Sequence, residues 1–80
     1  MPLHWFSPVV PIRAPNGRHN VSNVEAAGEV LLKFTKRGPK WRQAVESIVA
    51  FGEHKASAQE VRRLFRLAAK EEGVLLPDLD

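Results

Sequence analysis

Eighty residues, 44% of them hydrophobic and 26% charged, suffice for one domain with a real core and are too few for two. The absence of cysteine excludes a disulfide framework, a thiolate metal site and a cysteine nucleophile. A net charge of +3 permits anionic partners without demanding them.

The chain does not open on a basic stretch followed by an apolar one, and no apolar run approaches the roughly 18–20 residues that span a bilayer. A cytoplasmic protein without membrane contact is therefore expected. Residues 1–80 read as one domain, ordered over about 5–76, with a frayed tail at 77–80.

Trp5 to Arg13 carries Trp, Phe, Val, Val and Ile, which suit a pleated surface. Pro8 and Pro11 cannot donate to a ladder, so this strand should be an edge or irregular. Ala14-Pro15-Asn16-Gly17 has proline presetting φ and an Asn-Gly pair tolerating positive φ, which makes a tight turn. Arg18 to Val21 returns as a short second strand, completing a β-hairpin.

Ser22-Asn23-Val24-Glu25 has the spacing of a capping box, with Ser22 at the N-cap and Glu25 reaching back. Val24, Ala27, Leu31 and Phe34 then recur at helical spacing, flanked by Gly28 and Leu32. Lys36 and Arg37 fall in the expected last turn, where cations suit the helix dipole, and Gly38-Pro39 ends it. Pro39 fits the first position of a second helix. Trp41, Ala44, Val45, Ile48 and Val49 give that helix an apolar face, and Gly52 should end it.

Ser57-Ala58-Gln59-Glu60 is a second capping box, with Ala56 and Val61 at the staple positions. Val61, Leu64, Phe65 and Ala68 face inward in a third helix, and Gly73 suits a left-handed C-cap. Val74-Leu75-Leu76 then has its simplest home as a short strand joining the hairpin. The predicted fold is α+β: a β-hairpin, three helices and a C-terminal strand (ββαααβ), with a small sheet packed on helices. Ser22→Ala and Ser57→Ala should each cost about 0.5–2 kcal/mol through lost capping.

Catalytic equipment is hard to find. His4, His19 and His54 lie on separate segments without the i, i+4 pairing of a helical metal site. Ser22 and Ser57 are spoken for as caps, and Ser47 lies in a helix, where a hydroxyl bonds back to the preceding turn. No Ser/His/Asp set can be assembled. Glu71 and Glu72, at a helix C-terminus, read as solvated charge. The five glycines are spread as turn and cap residues and form no phosphate loop. No enzyme activity, cofactor or metal is expected.

The basic residues carry more information. Lys33, Lys36, Arg37, Lys40 and Arg42 fall in ten residues without an acid, with Trp41 among them. Arg62, Arg66 and Lys70, spaced by four, line one face of the third helix beside Arg63. Lys36, Arg37, Lys40, Arg62, Arg66 and Lys70 could contact phosphates, and Trp41 could stack on a base. Against this, the polar face of an amphipathic helix is normally charged, and Trp41 fits its own helix's apolar period. The connection around Gly52 is too long for a helix-turn-helix, and Glu60 sits where a base-reading side chain belongs. The other reading is a protein partner: a short open sheet exposes edges that invite strand addition or self-association. Trp5 and Phe6 could begin a core strand or form an exposed aromatic anchor.

Taken together the segments resemble the small bacterial family known as domain of unknown function 982. The residues that carry this are Pro8-Val9-Val10, Val21 to Ala27, Arg37 to Val45, and Val61-Arg62, Phe65, Ala68-Ala69 and Glu72-Gly73-Val74. They span roughly residues 6–75. The family often has Trp-Pro where this chain has Phe34-Thr35, and a cysteine where it has Ser47-Ile48. The resemblance implies a stand-alone α+β domain and carries no activity with it. The expected function is non-enzymatic binding of a macromolecule, chiefly a protein or a second copy, with nucleic acid as the alternative. The four capping positions Ser22, Glu25, Ser57 and Glu60 are expected to serve folding.

Overall fold

The structure is a computed structural model that describes residues 5–15 and 17–77. It is of the α+β class. Strand β1 (Trp5–Ala14) pairs antiparallel with β2 (Gly17–Asn23), and helices α1 (Val24–Leu31), α2 (Pro39–Gly52) and α3 (Ala58–Glu72) follow. Ala14 stands opposite Gly17, whose φ is 121°. The turn therefore lies within 14–17, where the tight turn was expected, although Asn16 itself lies outside the described residues. The tail expected to fray lies outside them too, apart from Pro77.

The expected C-terminal strand is the main correction. Leu75 forms one antiparallel bridge with Ile12, and no strand follows α3 among the described residues. Arg13 N–H donates to Val74 O at 2.7 Å and Leu76 N–H to Pro11 O at 3.1 Å. Extending the ladder one way would need an N–H that Pro11 lacks. Extending it the other way would need the Val74 N–H, which already bonds Ala69 O at 3.0 Å. That bond belongs to the α3 C-cap, where Gly73 is left-handed (φ 85°) and donates to Lys70 O. It is a Schellman motif. The cap and the strand compete for one donor, and the cap takes it. β1 is accordingly the middle element rather than an edge, and its register shifts between Trp5 and Val10.

The helix starts differ from the two predicted boxes. At α3 the Ser57 hydroxyl accepts from Glu60 N–H at 3.1 Å, while the Glu60 carboxylate accepts from Arg63 one turn on, at 2.9 Å. At α1 the N-cap is Asn23, not Ser22: its Oδ1 accepts from Ala26 N–H at 2.7 Å. Sheet pairing decides this, because β2 runs through Ser22 to Asn23, which still pairs with Trp5. Asparagine caps as well as serine, so the start moves one residue at no cost. Glu25 remains in the first turn, where its charge suits the dipole. Asn23→Ala should cost about 1–2 kcal/mol and Ser57→Ala about 0.5–1.5, whereas Ser22→Ala should stay within about 0.5. Urea denaturation of the three variants checks this order; a costly Ser22→Ala would return the cap to Ser22.

α2 begins at Pro39 and ends at Gly52 as expected, but its left-handed terminator is His54, at φ 62°. Lys55 N–H bonds Ala50 O at 2.8 Å and His54 N–H bonds Phe51 O at 3.0 Å. On the same helix Val49 is 58% exposed and Ser47 is buried. The Ser47 hydroxyl is satisfied by Ala44 O at 2.6 Å, one turn back. The core lies between the inner face of the hairpin, α1 and α3, with α2 packed chiefly on α3. At its centre Phe65 is fully buried, its ring centroid 6.4 Å from Phe6 and 6.2 Å from Phe34. Trp5, next to the buried Phe6, is exposed.

Candidate functional site

The connection between α1 and α2 holds most of the first basic stripe, and it is not helical. α1 stops at Leu31, so Lys36 and Arg37 do not lie in its last turn. Side chains from elsewhere take the groups that would have continued it. The Trp41 indole N–H donates to Leu31 O at 2.7 Å, and Arg37 donates to Leu32 O at 2.9 Å and to Phe34 O at 3.1 Å. The far side is held by α3. Glu72 accepts from Thr35 N–H (3.0 Å), Thr35 Oγ1 (3.0 Å) and Lys36 N–H (2.8 Å). Glu71 accepts from Lys40 N–H (3.4 Å) and Trp41 N–H (3.3 Å) at the start of α2.

The pair Glu71-Glu72, read from sequence as solvated charge, is thus a latch that fixes residues 35–41 to the end of α3. The signal available in the sequence was Gly38 at the start of α2: its residue offers no side-chain cap, so the exposed N–H groups there call for an acceptor from elsewhere. Hydrogen bonding from Thr35 N–H, above all, and from Lys36 N–H and the Thr35 hydroxyl holds the Glu72 carboxyl below its ordinary value, against the opposing effect of burial.

This arrangement divides the basic residues. Arg37 is committed to two carbonyls, and its guanidinium carbon lies 4.8 Å from the centroid of the Trp41 ring. Trp41 therefore has one face covered by Arg37 and its N–H spent, which restricts the stacking expected of it. The positive end of α2 already holds an anion, Glu71. Arg37 and Arg42 line one shallow depression with Gly38 and Glu46, whereas Arg66 and Lys70 line another with Leu75 and Pro77. Neither of these two depressions combines the two stripes. Lys36, Lys40, Arg66 and Lys70 are exposed and Arg62 is half-buried.

Among the described residues no segment pairs with the outer side of β2. Because Arg13 N–H and Pro11 O turn toward the 74–76 segment, the pairs Arg13↔Arg18 and Pro11↔Asn20 are the non-hydrogen-bonded kind. The N–H and C=O groups of Arg18 and Asn20 therefore point away from β1, off the outer side of β2, and alternation adds Ser22. The Arg18 Nε–H donates to Asn20 Oδ1 at 2.9 Å along this edge.

Among the described residues no three His, Asp or Glu side chains are grouped to hold a metal ion, and no helix is long and apolar enough to cross a membrane. Comparison with protein-family models, curated proteins and solved structures found no match. The resemblance to domain of unknown function 982 thus rests on the residues quoted for it.

Proposed function

We propose that this chain is a non-catalytic, cytoplasmic binding domain that adds an extended segment of a protein partner to the outer edge of β2. One observation carries the reading. The two sides of the hairpin are treated differently: residues 74–76 bond to β1 at Pro11 and Arg13, while the backbone groups of Arg18, Asn20 and Ser22 point outward from β2. Main-chain bonds to such an edge supply affinity, and alternate side chains supply specificity. The polar side chains Arg18, His19 and Asn20 keep the free edge from indiscriminate pairing.

The variant Asn20→Pro tests this directly. The Asn20 N–H faces outward, so proline there removes a bond to the partner and none to β1. Proteins captured from native lysate by the wild-type chain should be lost by Asn20→Pro, and the amides of Arg18, Asn20 and Ser22 should exchange more slowly in the complex. Light scattering distinguishes a second copy from another protein. A partner retained by Asn20→Pro excludes the edge. The nucleic-acid reading keeps the exposed Lys36, Lys40, Arg66 and Lys70; it predicts binding of a short duplex that weakens steeply with salt and ignores Asn20→Pro.

A further inference from the structure

The hairpin end, the end of α1 and the end of α3 enclose a cavity of about 240 Å3. Its apolar lining includes Ile12, Val30, Phe34 and Val74; the first three are buried. Its polar lining includes Arg13, His19 and Lys33, all exposed. The side chains of these three make no hydrogen bond or ion pair with one another or with other described residues. Such a grouping is unusual, because cations surrounding a small apolar hollow repel one another and are normally relieved by a carboxylate.

The one carboxylate present, Glu72, also lines the cavity. Its two oxygens are taken up by Thr35 N–H, the Thr35 hydroxyl and Lys36 N–H. The negative charge of Glu72 is therefore turned toward the α1–α2 connection, and the two permanent cations, Arg13 and Lys33, outnumber it.

We propose that this cavity is a binding site for a small organic anion: a carboxylate held by Arg13 and Lys33 at the rim, carried on an apolar body that fills the hollow over Val30 and Phe34. The volume fixes the scale. Pockets for drug-sized ligands run to roughly 300–1,000 Å3, so the occupant here is a single ring or a short chain. The charge fixes the head group. A cation would meet Arg13 and Lys33, and a neutral ligand would leave them uncompensated. No local spacing marks the site, because Arg13, His19, Lys33 and Glu72 come from four segments of the chain.

Titration with benzoate, followed by amide and methyl chemical shifts, tests the proposal. The expected result is saturable binding with a Kd on the order of 1 mM, ordinary for so small a ligand, with shifts confined to Ile12, Val30, Phe34, Val74 and the residues flanking them. Benzyl alcohol, which keeps the ring and loses the charge, should bind at least about tenfold more weakly. Acetate, which keeps the charge and loses the body, should do the same. The double variant Arg13→Gln, Lys33→Gln changes two exposed side chains; it should keep its melting midpoint and lose benzoate binding by tenfold or more. Shifts that fail to saturate, that map elsewhere, or that are matched by benzyl alcohol or by the double variant would overturn the site. None of these outcomes depends on the outward-facing backbone of Arg18, Asn20 and Ser22, so the edge and the cavity stand or fall separately.

Discussion

Phe65→Ala should unfold this protein or leave it at the margin of stability. A chain of 80 residues has roughly 4–12 kcal/mol to lose, and truncating a fully buried phenylalanine costs about 3–5. Phe65 is the largest side chain that is completely buried, and its ring joins three elements: Phe6 of β1 at 6.4 Å, Phe34 of the α1–α2 connection at 6.2 Å, and α3 itself. The ring faces are tilted by 33° and 22°, so aromatic packing adds about 0.5–1.5 kcal/mol per pair to the burial. No single neighbour can collapse into the space, because the two ring contacts approach from different segments. Phe65→Leu keeps most of the volume and should cost about 1–1.5 kcal/mol. Urea denaturation of both variants reads the difference. Equal, small losses would mean that the three rings are not packed as a unit.

The second large effect is at the latch. Glu72→Ala should cost about 1–2 kcal/mol, since two backbone N–H groups and a hydroxyl lose a charged acceptor; partial exposure to water keeps the figure at the low end for a charge-assisted set. The same residue gives an acid signature. Its folded-state pKa is lowered from the ordinary 4.5, so the unfolded chain takes up the proton first. The stability Glu72 contributes is complete above the unfolded value and is lost as pH falls through the folded one. Wild type should weaken on acidification below about pH 5, and Glu72→Gln should lose that part of the dependence while starting from lower stability at pH 7. Gly38→Ala reaches the latch from the other side. A Cβ at Gly38 would stand 2.9 Å from the Glu71 carboxylate, so Glu71 must swing off the start of α2, giving up its bonds to Lys40 and Trp41. If Glu72→Gln keeps the full acid dependence of wild type, the carboxylate is not the acceptor that matters.

The latch also explains why reading the chain alone misplaces the basic residues. Hydrophobic period carries α1 as far as Phe34, which is indeed buried, and puts Lys36 and Arg37 on a helical surface. Helix continuation and tertiary capture compete for the same backbone groups. Capture wins because Trp41, Arg37 and Glu72 satisfy Leu31 O, Leu32 O, Phe34 O and the N–H groups of Thr35 and Lys36 together. Glu72 lies 37 residues from Thr35, beyond any local rule. The single bridge at Leu75 has the same character: three apolar residues after a capped helix could pair, and whether they extend depends on Pro11 and on which acceptor the Val74 N–H reaches.

The features legible along the chain are those that follow from local chemistry. These are the α+β class, the hairpin turn within 14–17, the Pro39 start of α2, the Ser57 cap, the left-handed Gly73 and most of the buried apolar positions. Each depends on residues within about four of one another, where propensity and spacing suffice. Contacts across the fold set where α1 ends, that Asn23 rather than Ser22 caps it, that Glu71 and Glu72 are ligands of the backbone rather than solvated charge, and that Arg37 and Trp41 bond the carbonyls that follow α1. They also bring Arg13, His19 and Lys33 around one hollow and leave the outer side of β2 unpaired among the described residues. The physical reason is common to all of these. A backbone donor or a charge binds whichever partner the fold brings nearest, and those partners lie across the chain rather than along it.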